Sequence, residues 1–168
     1  MTTADAGGYA GPSRIRSVAQ YGALAFGAAF LLVGILGFIP GITTDYDDMA
    51  FAGTDSQAEL LGVFQVSVLH NIVHLLFGAL GLWAVRTWTT ARIFLLAGGA
   101  VYLVLFVYGV LLDRDSDANF VPVNSADDWL HVALAIGMLA VGLLAGRRWE
   151  DDPLVRSDRH DVRSMDRS

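Results

Sequence analysis

Four long apolar runs, separated by short polar segments, dominate the sequence. They lie at about residues 18–39, 60–85, 93–112 and 128–146. A helix rises 1.5 Å per residue, so about 20 apolar residues are enough to cross a hydrocarbon core of roughly 30 Å. The pattern therefore predicts an all-α protein, a four-helix transmembrane bundle with one span in each run.

The polar segments divide the chain into a membrane domain at 18–146 and two tails. Residues 1–17 are rich in Gly, Ala and Thr, and residues 147–168 mix arginines with acids without apolar periodicity. Segments of this composition cannot bury a core. We therefore predict a flexible N-terminal tail and a disordered C-terminal tail.

Composition agrees with a membrane protein. The chain is 54% hydrophobic and contains no cysteine, and its mean hydropathy is +0.50, which is high for a soluble domain. The absence of cysteine excludes disulfides and thiol redox chemistry. No segment combines basic and aromatic residues as a nucleic-acid surface would. The expected partner is thus the lipid bilayer, with protein partners and homo-oligomerisation left open.

The arginines predict the orientation. Ten of the eleven lie in the two tails and in the 86–92 connection, whereas the two longer loops hold only Arg114 against ten acids, counting Glu59 and Asp128 at the helix starts. Basic residues accumulate on the cytoplasmic side of membrane proteins. Both termini are therefore expected in the cytoplasm, with the chain crossing the plasma membrane four times.

The two halves of the membrane domain resemble each other. The segment from Gly27 to Leu31 aligns with Gly99 to Leu103, and in the same register Gly37 aligns with Gly109. Two polar residues and two histidines of the second and fourth spans also align: Asn71 with Asp128, and His74 with His131. These matches predict two tandem helical hairpins related by a parallel internal repeat.

A set of six polar residues lies in or directly beside the second and fourth runs. Residues four apart share a helix face, and polar side chains in membranes usually join helices by hydrogen bonds. We interpret the six as an interhelical polar cluster of a non-enzymatic integral membrane protein, and none is predicted to be catalytic. They are His70, Asn71, His74, Asp127, Asp128 and His131.

The alternative is a redox or metal-binding membrane protein. His70 and His74 have the spacing that can place two imidazoles on one metal ion, and His74 and His131 could ligate a haem iron from two helices. The sequence supplies neither a cysteine nor a glutamate beside these histidines, and no cofactor is predicted with certainty. A proton path is a weaker alternative, because no Asp, Glu or Arg lies in the cytoplasmic half of a span.

Three blocks of this sequence resemble the DUF4383 family of uncharacterised bacterial four-span membrane proteins. They are Leu32 to Pro40, then His70-Asn71-x-x-His74-x-x-x-Gly78-x-x-Gly81-Leu82, and finally Asn124-x-x-Asp127-x-x-Leu130-His131. The resemblance covers roughly residues 18–146 and leaves both tails outside. It implies a multi-pass membrane topology, and it implies no particular activity.

Overall fold

The computed structural model describes residues 17–53, 55–111 and 123–145. The predicted tails, apart from Ser17, lie outside the described residues. So does most of the second acidic loop, at 112–122.

The described residues are mostly helical, which confirms the prediction of four helices. They are α1 (Val18–Leu36), α2 (Val68–Ala84), α3 (Trp88–Leu111) and α4 (Ser125–Leu144). Helices α1, α3 and α4 are long and apolar enough to cross a membrane, whereas α2 has only 17 residues.

Polar side chains mark the start of three helices. Ser17 and Gln20 form a reciprocal capping box on α1, and Asn124 forms another with Asp127 on α4. Ser67 caps α2 by accepting a hydrogen bond from the backbone N–H of His70. Such side chains stabilise backbone N–H groups that have no partner within the helix.

A small three-stranded antiparallel sheet lies between α1 and α2, in residues that the all-α prediction assigned to a loop and to the second span. Its strands are β1 (Thr43–Thr44), β2 (Glu59–Leu60) and β3 (Phe64–Gln65), in the order β1-β2-β3. A 3₁₀ turn at Tyr46–Asp48 lies in the β1–β2 connection. We call residues 40–66 the cap.

The second helix therefore begins at Val68 and not near residue 60. Leu61 and Gly62 both have positive φ, of 57° and 66°, which reverses the chain between β2 and β3. Glycine adopts this conformation without steric cost, unlike leucine. The apolar run thus contains a tight hairpin followed by a capped helix.

The helices pack most extensively as two pairs, α1 with α2 and α3 with α4, with further contacts between the pairs. Close packing within a pair depends on glycines. A Cβ at Gly27 would lie 2.9 Å from the backbone nitrogen of Leu82, and one at Gly99 would lie 2.7 Å from the Leu139 side chain. Small residues of this kind allow helix backbones to approach each other in membranes.

Candidate functional site

Two stacked aromatic rings occupy the centre of the helix assembly. Phe30 of α1 and Tyr102 of α3 are both buried, with ring centroids 5.4 Å apart and planes only 5° from parallel. Each ring also contacts a histidine of the helix that packs on its own: the Phe30 and His74 centroids are 5.8 Å apart, and the Tyr102 and His131 centroids are 5.5 Å apart. The two predicted histidines therefore both contact the same aromatic core.

Hydrogen bonds fix the protonation of the His74 ring. Its Nδ1 lies 3.0 Å from the backbone carbonyl oxygen of His70, and because a carbonyl can only accept, Nδ1 carries the proton. In a neutral ring Nε2 is then an acceptor. The Tyr102 hydroxyl lies 3.5 Å from Nε2, at the limit of hydrogen bonding, and can donate to it. This contact joins α2 to α3.

His131 has a different environment. The ring is 4% exposed, and its Nδ1 has no hydrogen-bond partner among the described residues. In the alignment of the two halves, Phe30 is the counterpart of Tyr102, and Phe30 has no hydroxyl group that could donate a hydrogen bond to His131. The two histidines are thus similarly placed but differently bonded.

Asn71 packs against the end of α1. The residue is fully buried, and its side-chain amide occupies the place where a Cβ at Gly37 would project. The Cα–H of Gly37 therefore faces the Asn71 side chain. A Cα–H group is a weak hydrogen-bond donor of the kind found between closely packed helices. The Asn71 Nδ2 lies 3.8 Å from the Met49 sulfur, which it approaches as a donor.

Asp128 packs against α3 in the same manner. It is 5% exposed, and its carboxylate oxygen occupies the place where a Cβ at Gly109 would project. The contacts of Asn71 and Asp128 with these glycines each lie within one helix pair.

The remaining two predicted residues lie at the helix starts. The His70 ring is stacked on His74 at 4.4 Å, with an interplanar angle of 14°. Asp127 is buried, and its Oδ2 accepts hydrogen bonds from the backbone N–H groups of Asn124 and Gln65. Asp127 thus connects α4 to the cap.

The geometry does not favour a metal centre at the predicted histidines. No group of three or more His, Asp or Glu side chains could hold a metal ion within residues 17–53, 55–111 and 123–145. The stacked arrangement of His70 and His74 places the rings face to face, and His74 Nδ1 is engaged by a carbonyl. A shared ligand would need both nitrogens turned to one point.

Sequence reasoning missed a second set of polar contacts, at the opposite end of the helices. The Gln20 side chain donates from Nε2 to the carbonyl of Val85 at 2.8 Å, and Arg92 donates from Nε to the carbonyl of Gly142 at 3.0 Å. Trp88 Nε1 donates to the carbonyl of Ala145. Helix ends leave carbonyls unpaired, so polar residues near the start of an adjacent apolar run were a usable signal.

Long apolar helices that bury polar side chains between them fit a membrane protein. A family profile described as a domain of unknown function, DUF4383, matches residues 20–144. The chain therefore belongs to the DUF4383 family, which confirms the resemblance seen in the sequence. Curated proteins and solved structures give no match.

Proposed function

We propose that the chain is a non-enzymatic, four-span protein of the plasma membrane, built as two tandem helical hairpins with both termini in the cytoplasm. The aromatic core, together with His74 and Asp127 of the polar cluster, joins the two hairpins into one unit with a structural or interaction role. One observation carries the proposal: contacts within one helix pair have counterparts, at aligned residues, within the other pair. The two aligned histidines, His74 and His131, are part of that correspondence, and we assign them a packing role against Phe30 and Tyr102.

Contacts within the first pair have counterparts within the second. Asn71 lies on Gly37 as Asp128 lies on Gly109. The alignment of the two halves places these residues on each other, so it relates the contacts as well as the residue types. A parallel repeat in a membrane protein implies a pseudo-two-fold axis along the membrane normal.

The same alignment relates the contacts at the other end of the helices. It places Gln20 on Arg92 and Val85 on Gly142, and both side chains donate to the carbonyl of the aligned partner. It also places Phe30 on Tyr102, the two rings that stack on each other. Residues on a two-fold axis meet their own counterparts, so this stack supports an axis between the hairpins.

Two contacts support the joining role. The Phe30–Tyr102 stack links α1 to α3, and the Tyr102 hydroxyl approaches His74 of α2. Aromatic pairs contribute about 0.5–1.5 kcal/mol beyond the area they bury. Interhelical hydrogen bonds in membranes contribute about 0.6 kcal/mol on average. Because these energies are small, the Phe30–Tyr102 stack and the Tyr102–His74 contact determine how the hairpins pack on each other more than they stabilise the protein.

Alanine substitution of each buried histidine tests the proposal. We expect His74→Ala and His131→Ala to lower the free energy of unfolding in detergent by about 0.5–3 kcal/mol, the usual range for a destabilising single substitution. Val73→Ala is the matched control, because Val73 neighbours His74 on α2 but is 49% exposed.

Two results would contradict this proposal. One is thermal melting of both histidine variants at the temperature of the parent. The other is a Soret band, in protein purified from its native membrane, that both variants lose, because a ligated haem would make the protein a redox protein.

A further inference from the structure

The turn of the β2–β3 hairpin exposes apolar side chains. Leu61 is 63% exposed and Val63 is 46% exposed, and Phe51, beside the start of α2, is 65% exposed. Single exposed apolar residues are common on proteins. These, however, lie on a cap whose core packs against Val33 and Leu36 of α1, a helix able to span a membrane.

The length of α2 bears on the position of the cap. Its 17 residues extend about 25 Å at 1.5 Å per residue, less than a hydrocarbon core of about 30 Å. If α2 crosses the bilayer, its first turn lies close to the acyl chains. The hairpin that leads into this turn then lies at the same depth.

The start of α2 needs no water. Its first two backbone N–H groups donate to the carbonyls of Ala50 and Phe51, at 3.1 and 2.9 Å. The next two donate to the side chain and the carbonyl of Ser67. Unpaired N–H groups at helix starts are usually hydrated, and in a water-poor layer they must be paired within the protein.

Polar backbone groups at the β3 edge of the sheet, and in the turn before it, are paired in the same way. The backbone N–H of Gln65 donates to Asp127 at 3.2 Å, and the carbonyl of Val63 accepts from Asn124 Nδ2 at 2.8 Å. Both partners belong to the capping box of α4. A sheet edge whose polar groups are engaged by side chains tolerates contact with lipid better than an open edge.

We propose that the hairpin turn at residues 61–63 is seated in the interfacial layer of the bilayer and that its binding partner is phospholipid. This inference rests on the proposed membrane-spanning arrangement. The cap also carries exposed acids in its β1–β2 connection, Asp45, Asp47 and Asp48, which would repel anionic headgroups. A zwitterionic lipid such as phosphatidylcholine therefore suits it.

The chain contains no cysteine, so single-cysteine variants can carry an environment-sensitive fluorophore without background. The test positions are Leu61→Cys and Val63→Cys, in full-length protein reconstituted in phosphatidylcholine vesicles. Lipids with a nitroxide near the headgroup or deep in the acyl chain act as quenchers. The controls are Asp47→Cys, exposed in the same cap, and Val104→Cys, 66% exposed in the middle of α3.

We expect the shallow nitroxide to quench positions 61 and 63 several-fold more strongly than position 47, and the deep nitroxide to quench position 104 most strongly. Equal quenching at 61, 63 and 47, with position 104 quenched, would overturn the lipid contact while leaving the spanning helices intact. Such equal quenching would indicate that the turn faces water or binds a protein partner instead of lipid. Absence of quenching at position 104 would overturn the spanning arrangement and this inference together.

Discussion

At the scale of single residues, two glycines allow two polar side chains to be buried. Gly37 has helical φ and ψ of −60° and −20°, so its backbone does not require glycine. What requires it is the Asn71 side chain, which fills the space of the missing Cβ. Gly109 and Asp128 repeat this arrangement. The need for glycine at both positions is therefore steric.

Alanine at either glycine tests this steric argument. We expect Gly37→Ala and Gly109→Ala to destabilise the protein by about 1–3 kcal/mol, as overpacking of a tight interface does. Gly137→Ala is the control within α4, because its Cβ would meet only the Phe26 ring, at 3.2 Å. Thermal melting in detergent measures all three.

A double variant separates collision from other effects. Shortening Asn71 to alanine in the Gly37→Ala background removes the group with which the new methyl collides. The two substitutions should therefore be less than additive. Strict additivity would show that the Gly37–Asn71 contact does not limit the packing of α1 on α2.

The glycine contacts could not be predicted from the sequence. The alignment of the halves suggested that Gly37 and Gly109, and Asn71 and Asp128, are equivalent. It could not show which side chain faces which helix, because apolar runs carry little information on helix rotation. The stack of Phe30 on Tyr102 was hidden for the same reason, since aromatic residues are common on lipid-facing and core positions alike.

At the scale of elements, capping side chains determine where the helices begin. Ser67 accepts one backbone N–H at the start of α2, whereas Asn124 accepts two at the start of α4 and also donates to Val63 of the cap. The alignment of the halves places Ser67 on Asn124. Both caps hold the ends of the helices that carry the polar cluster.

Removal of the caps should have unequal effects. We expect Ser67→Ala to cost about 1 kcal/mol of stability, the usual value for an N-cap, and Asn124→Ala to cost more, because it also frees the carbonyl of Val63. Thr89→Ala, exposed in the first turn of α3, should change little. Unfolding monitored by far-UV circular dichroism gives the loss of stability for each variant. Equal losses for Ser67→Ala and Asn124→Ala would contradict the predicted ranking.

Hydropathy predicted the existence of the helices better than their ends. It placed the start of the second near residue 60, because residues 60–66 are almost as apolar as the helix that follows. Gly62 and Ser67 carried the turn and cap signals that mark the true start at Val68. The third helix begins earlier than predicted, at Trp88, since the polar residues Thr89, Thr90 and Arg92 are compatible with a helix that projects beyond the apolar layer.

At the scale of the whole molecule, the central claim is that two equivalent hairpins cross the membrane side by side. Among the residues that the structure describes, three helices satisfy the length and hydropathy needed for crossing, and α2 is the short one. Its partner α1 contacts it along the glycines Gly27, Gly34 and Gly37. If α2 crosses with α1, the chain crosses four times and its two ends lie on the same side.

Cysteine accessibility in intact cells tests this claim most directly, because the parent chain has no cysteine. The variants are Ser13→Cys and Ser164→Cys in the tails, Thr87→Cys between α2 and α3, and Asp47→Cys in the cap. We predict that a membrane-impermeant maleimide labels position 47 from outside, and labels positions 13, 87 and 164 only after the membrane is opened. Labelling of positions 13 and 164 from opposite sides would show an odd number of crossings and contradict the two-hairpin architecture.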